Sequence, residues 1–106
     1  MAEWVDVASV EEIAPGTWRT VDIDDVEIAV INVDGSFYAI EDMCTHDGGD
    51  LSSGHMEGCE IICPRHGARF CIKTGAVTAP PAYEAVTTFP VRVFQGMIQV
   101  RDPRWD

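Results

Sequence analysis

The chain predicts an all-β fold, an antiparallel sandwich or partial barrel. Its apolar residues fall in short runs rich in Val, Ile, Phe and Tyr, as strands require. Turn-forming pairs such as Pro15-Gly16, Asp34-Gly35, Thr74-Gly75 and Gln95-Gly96 punctuate those runs. Helical periodicity is nearly absent, so the layers have to be sheets. In order, residues 4–8 read as a strand. Ser9-Val10-Glu11-Glu12 resembles a capping box that opens a short helical turn, closed by Pro15-Gly16. Residues 17–23 and 26–33 are β-rich. Asp34-Gly35 is a strong hairpin turn into the strand 37–40. Residues 60–62 form a short strand, and 69–72 lead to the turn at Thr74-Gly75. Residues 86–94 and 97–101 read as a second hairpin around Gln95-Gly96.

At 106 residues the chain is read as one domain, residues 1–106, with one modest core. It has no apolar run of bilayer length, and its first residues lack both a basic region and an apolar core of the secretory type. The expected location is the cytoplasm. A net charge of −11 excludes nucleic acid and anionic membranes as natural partners. It suits transient docking to a basic face on another protein, by a carrier expected to work as a monomer.

The chemistry is concentrated in two runs, Cys44-Thr45-His46 and Cys63-Pro64-Arg65-His66, separated by residues 47–62. Each offers one thiolate and one imidazole. A [2Fe–2S] core with two Cys and two His is the Rieske ligand set. The candidate ligands are Cys44, His46, Cys63 and His66, holding one cluster per chain. The charge count explains the mixture. Two ferric ions and two sulfides sum to +2, so two thiolates and two neutral imidazoles bring the oxidised site to zero. Reduction then makes it −1, where four thiolates would leave −3, and the potential is correspondingly higher. The added electron is expected on the His-ligated iron. Gly48, Gly49 and Gly67 beside the ligands suit loops that turn N–H groups toward sulfur, and Pro64 stiffens the second loop.

Two Cys and two His can also hold structural zinc, but zinc spacing pairs Cys with Cys and His with His, and these runs interleave them. A Cys44–Cys63 disulfide would leave both adjacent His without a purpose. A mononuclear iron site of the facial-triad type would need two more His, and only His55 is left, read as a surface residue. The chain is therefore read as an electron carrier and not as an oxygenase. Cys59 and Cys71 remain. A reducing cytosol argues against their pairing. Phe70-Cys71-Ile72 makes Cys71 a buried small hydrophobe, and Gly58-Cys59-Glu60 makes Cys59 an exposed turn residue.

On Cys44-Thr45-His46, on the run from Cys63 to Phe70 with Thr74-Gly75 after it, and on Ala79-Pro80-Pro81-Ala82, the chain resembles the soluble Rieske-type ferredoxins of bacterial ring-hydroxylating oxygenases. The resemblance covers nearly the whole length. It implies a Rieske domain with a base and a smaller cluster-binding subdomain, roughly residues 42–82. The 79–82 loop would cover the cluster from a third side, and both His edges would lie near solvent as the electron exit. The implied partners are a flavin-dependent reductase using NAD(P)H and a terminal non-heme iron oxygenase, with Asp47 and Asp50 near the docking tip. A Rieske protein accessory to Fe–S assembly, or one like a nitrite-reductase small subunit, is the alternative. Respiratory and photosynthetic members of the wider group carry an extra disulfide and two hydroxyl donors near the cluster. The matching positions here are Gly49 and Arg65, then Ala68 and Phe70. Without those donors a potential at the low end of the Rieske range is expected, on the order of −150 mV.

Overall fold

The computed structural model describes residues 4–45, 49–64, 67–80 and 82–101. It is built of antiparallel sheets. The strands are β1 (Val5–Ser9), β2 (Trp18–Ile23), β3 (Val26–Val33), β4 (Ser36–Glu41), β5 (His55–Glu57), β6 (Glu60–Ile62), β7 (Arg69–Cys71), β8 (Val77–Ala79), β9 (Thr88–Phe89), β10 (Val91–Phe94) and β11 (Met97–Val100). Single 3-10 turns occupy Val10–Glu12 and Leu51–Ser53. The three sheets have strand orders β1-β11-β10, β2-β3-β4-β9 and β5-β6-β7-β8.

β3 organises the molecule. Its run of apolar residues is too continuous for a strand with one wet face, and from Ile28 onward every residue is buried. Alternate side chains serve two cores. Ile28 and Val30 face a cluster with Ala8, Ile13, Phe89, Ile98 and Val100, which joins the central sheet to β1-β11-β10. Ala29, Ile31 and Val33 face the opposite cluster, with Ile61, Phe70, Ile72, Cys44 and Cys63. That second core seats the β5–β8 sheet on the central one. Asn32 is the one polar side chain on β3's buried stretch. Its amide donates to the Ile13 carbonyl at 2.8 Å and its oxygen accepts the Gly35 N–H at 2.7 Å, so its burial leaves no orphaned group.

Most sequence expectations hold, and the departures have local causes. The Asp34-Gly35 turn has positive φ at both residues, as a two-residue hairpin of the I′ kind demands. At Ser9, the Glu12 carboxylate accepts from both the main-chain N–H and the hydroxyl at 3.1 Å, forming the expected box. The expected strand 86–94 is broken at Pro90, which has no N–H for a ladder. Thr88–Phe89 pairs with β4 in the central sheet, and Val91–Phe94 pairs with β11 in another. β5, β8 and the 3-10 turn at Leu51–Ser53 were not expected. Each is three residues long, too short for any periodicity to register.

Candidate metal centre

Two loops carry the candidate ligands, and both close in the same way. The Cys44 N–H donates to the Gly49 carbonyl at 2.7 Å, and the Cys63 N–H donates to the Ala68 carbonyl at 2.8 Å. Each bond joins a cysteine to the residue five positions on, so each cysteine stands at the neck of a four-residue loop. Gly67 returns the second loop with φ near 76° and its N–H on the Cys63 carbonyl at 3.1 Å. β4 leads into the first neck. β6 and β7 flank the second, so Cys63 is delivered by a hairpin and not by a free loop.

Both cysteines are buried, Cys44 at 0% and Cys63 at 1% exposure, in one core with Leu51, Ala68 and Ala82. Neither is joined in a disulfide, which agrees with the sequence argument. Two buried sulfur donors at two like necks, each with a histidine two or three residues on, make a soft, mixed donor set that fits a [2Fe–2S] group. His46 and His66 lie outside the described residues, as do Asp47, Gly48, Arg65 and Pro81.

The loops are anchored by contacts the sequence could not disclose. The Thr45 hydroxyl donates to the Glu84 carbonyl at 2.7 Å, tying the first loop to the segment after Pro80. The Trp18 indole N–H reaches the Ser52 carbonyl at 3.2 Å. Asp42, 4% exposed, accepts from the Ser52 N–H at 2.7 Å and the Ser52 hydroxyl at 2.6 Å. These bonds fix the chain on both sides of the first loop. Their partners are ten to 39 residues apart and no motif marks them.

Asp50, expected near a docking tip, is exposed and grouped with Glu27 and Asp42, their oxygens all within 4.8 Å of one another. A proton holds such a group together. Glu27 hydrogen-bonds to the Asp42 carboxylate, and with burial and repulsion from Asp42, Asp50 and Asp22 its own carboxyl is pushed up to about 7. The folded pKa lies above the ordinary 4.5, so this contribution to stability is full below 4.5 and is lost as pH rises through about 7. Glu27→Gln should therefore melt higher than the parent at pH 8, with the gap shrinking toward pH 5.5. A gap that does not change with pH in thermal melts counts against the shared proton.

The remaining expectations divide. Cys59 and His55 are exposed, as expected. Cys71 is only half-buried, because it ends β7 and opens a turn, so its reading as a core residue is corrected. Phe70 is fully buried in the same core as both candidate thiols. Among the described residues no helix is long and apolar enough to cross a membrane.

The Rieske [2Fe–2S] domain model matches residues 3–90. The chain is 40% identical over 86 residues to the biphenyl dioxygenase ferredoxin subunit of Pseudomonas sp. (strain KKS102), covering 80% of this chain and 79% of that one. It is 40% identical over 95 residues to the 3-phenylpropionate/cinnamic acid dioxygenase ferredoxin subunit of Escherichia coli (strain K12), covering 89% of each. Among solved structures, the ferredoxin of carbazole 1,9a-dioxygenase from Nocardioides aromaticivorans IC177 superposes with a TM-score of 0.88 at 35% identity, over 92% of this chain and 95% of that one. A chain in the complex of reduced oxygenase and oxidized ferredoxin of carbazole 1,9a-dioxygenase gives 0.88 at 37% identity, over 92% and 91%.

Proposed function

Because the chain belongs to the Rieske [2Fe–2S] domain family and is a ferredoxin, an electron carrier and not a catalyst, we propose that it shuttles single electrons from an NAD(P)H-dependent flavin reductase to a terminal ring-hydroxylating oxygenase. Its cofactor is a Rieske-type [2Fe–2S] cluster, which when bound supplies reversible one-electron uptake. Cys44 and His46 of the first loop and Cys63 and His66 of the second would hold it. The observation that carries this reading is the matched closure of the two loops, with both thiols buried in one core.

The chain's own residues have three tasks. The Cys44–Gly49 and Cys63–Ala68 bonds set the loop necks and hold each cysteine at the base of its loop. Leu51, Ile61, Phe70 and Ile72 keep water from the inner side of the site. The net charge of −11 steers a basic partner toward the molecule and makes encounter salt-dependent. The carrier would act as a monomer in the cytoplasm, with transient contacts only. The β5–β8 sheet and the two loops would form the cluster-binding subdomain, roughly residues 42–82, within one domain spanning residues 1–106.

Phe70 offers no hydroxyl to the site. Phe70→Tyr is expected to raise the midpoint potential if its hydroxyl reaches a ligand thiolate, because such a donor favours the more negative reduced form. An unchanged potential with an intact cluster speaks against that account. The function itself is tested by reconstitution with the flavin reductase and oxygenase of the same source. Product should form only when the chain is added, at a rate that falls as salt is raised. Turnover that is indifferent to the chain would overturn the proposal.

A further inference from the structure

The hairpin of β6 and β7 has the second ligand loop at its tip and a pair of cysteines at its base. Glu60 of β6 lies opposite Cys71 of β7, and Cys59 directly precedes Glu60. The Cys59 carbonyl accepts the Ile72 N–H at 2.8 Å, so the two chains are still held together at that level. One step along a strand from a cross-strand partner places two Cα atoms about 6 Å apart, within the span that a disulfide bridges. In unbroken strands such neighbours point to opposite faces. Cys59 escapes that constraint because it belongs to the two-residue loop Gly58-Cys59, between the last β5–β6 pair Glu57 and Glu60, with Gly58 at φ near 59°. The Cys59 side chain is among the groups that act on the Cys71 thiol.

The pair is accessible and chemically unequal. Cys59 is exposed and Cys71 half-exposed, whereas Cys44 and Cys63 are buried. The Thr74 hydroxyl holds the Cys71 thiol below the ordinary value; burial works against it, and the N–H groups of Thr74 and Lys73 and the Cys59 thiol assist it. The Thr74 oxygen accepts the Ala76 N–H at 3.2 Å, a bond that does not use its hydroxyl proton. A stabilised thiolate with a second thiol beside it is the arrangement of a nucleophilic and a resolving cysteine.

We propose that Cys59 and Cys71 form a redox-active thiol pair, closed to an intrachain disulfide by a low-molecular-weight disulfide such as glutathione disulfide. The Cys71 thiolate attacks one sulfur of the oxidant, breaking its S–S bond and releasing one thiolate. Cys59, giving up its proton, then attacks the Cys71 sulfur and expels the second. Two electrons pass from the protein thiols to the oxidant, which leaves as two thiols after taking up two protons. The bridge clamps the base of the hairpin whose tip presents Cys63.

The test uses the cluster-loaded protein, incubated with glutathione disulfide while the visible absorbance of the cluster is followed, then alkylated and mapped by mass spectrometry. The expected result is loss of two alkylatable thiols, a peptide linked through Cys59 and Cys71, retained absorbance, and reversal by dithiothreitol. Cys59→Ser should stop at a glutathione adduct on Cys71, and Thr74→Val should slow the first step severalfold with the absorbance unchanged. Unchanged thiols at intact absorbance would overturn the proposal. So would stable adducts on both cysteines without a bridge, or a bridge that forms only after the cluster is lost.

Discussion

Gly54→Ala should cost this protein its cluster and more than about 3 kcal/mol of stability. Gly54 is not a turn glycine, since its φ of −87° is open to any residue. Its role is close approach. A Cβ there would fall on the Ile62 carbonyl oxygen, far inside contact distance, and within 3.2 Å of the Pro64 ring. The obstacle is backbone, which cannot step aside as a flexible side chain would, and it is the backbone that leads into Cys63. Relief therefore has to come from moving β6 or the 3-10 turn at Leu51–Ser53, which sets the far side of the first loop. Gly75→Ala should be comparably severe, because its φ of 80° strains any L side chain and a Cβ would meet the Val86 carbonyl oxygen. Gly16→Ala has the same φ with nothing within 4 Å, and should lose only the cost of strain. Thermal melts and visible absorbance of purified variants check the ranking. Gly54→Ala with parental absorbance and melting temperature would show that β6 is not tightly held.

Cys63→Ser should abolish the visible chromophore, while Cys59→Ser keeps it. Cys63 is 1% exposed at a loop neck, and the proposed cluster would tie that neck to the Cys44 neck. Without that tie the three-residue strands of the β5–β8 sheet rest on the core they share with β3, β4 and Leu51 and on the Arg69 pairs with Glu57 and Glu60, both at 3.2 Å and partly exposed. The variant should therefore show faster amide exchange across residues 55–79, with β1, β3 and β11 protected as before. Metal removal from the parent protein should give the same exchange pattern, because ligand binding and local folding are one free energy. Equal protection in the presence and absence of the cluster would mean that the sheet stands by itself.

The parts legible in the sequence are those where one local cause dominates. Residues 26–33 read as β-rich because Val and Ile dominate the run, and Asp34-Gly35 signals a tight hairpin. Cys44 and Cys63 were legible because sulfur and imidazole at such spacing have few other uses. What stayed hidden depends on distant partners. Pro90 marks a break, but nothing nearby says that Thr88–Phe89 joins β4 while Val91–Phe94 joins β11. Gly54 looks like any loop glycine until Ile62 lies against it. Cys71 sits in an apolar triplet, and only the turn that it opens at the end of β7 keeps it half-exposed. The Asp42–Ser52 bonds join residues that both look like ordinary loop polars.

The most direct test of the central claim is a potentiometric titration of the purified protein followed by electron paramagnetic resonance. A Rieske-type signal that grows with one electron per chain, at a potential on the order of −150 mV, is the expected result. No signal, with zinc found by elemental analysis, would contradict the account and leave two well-made loops holding a different metal.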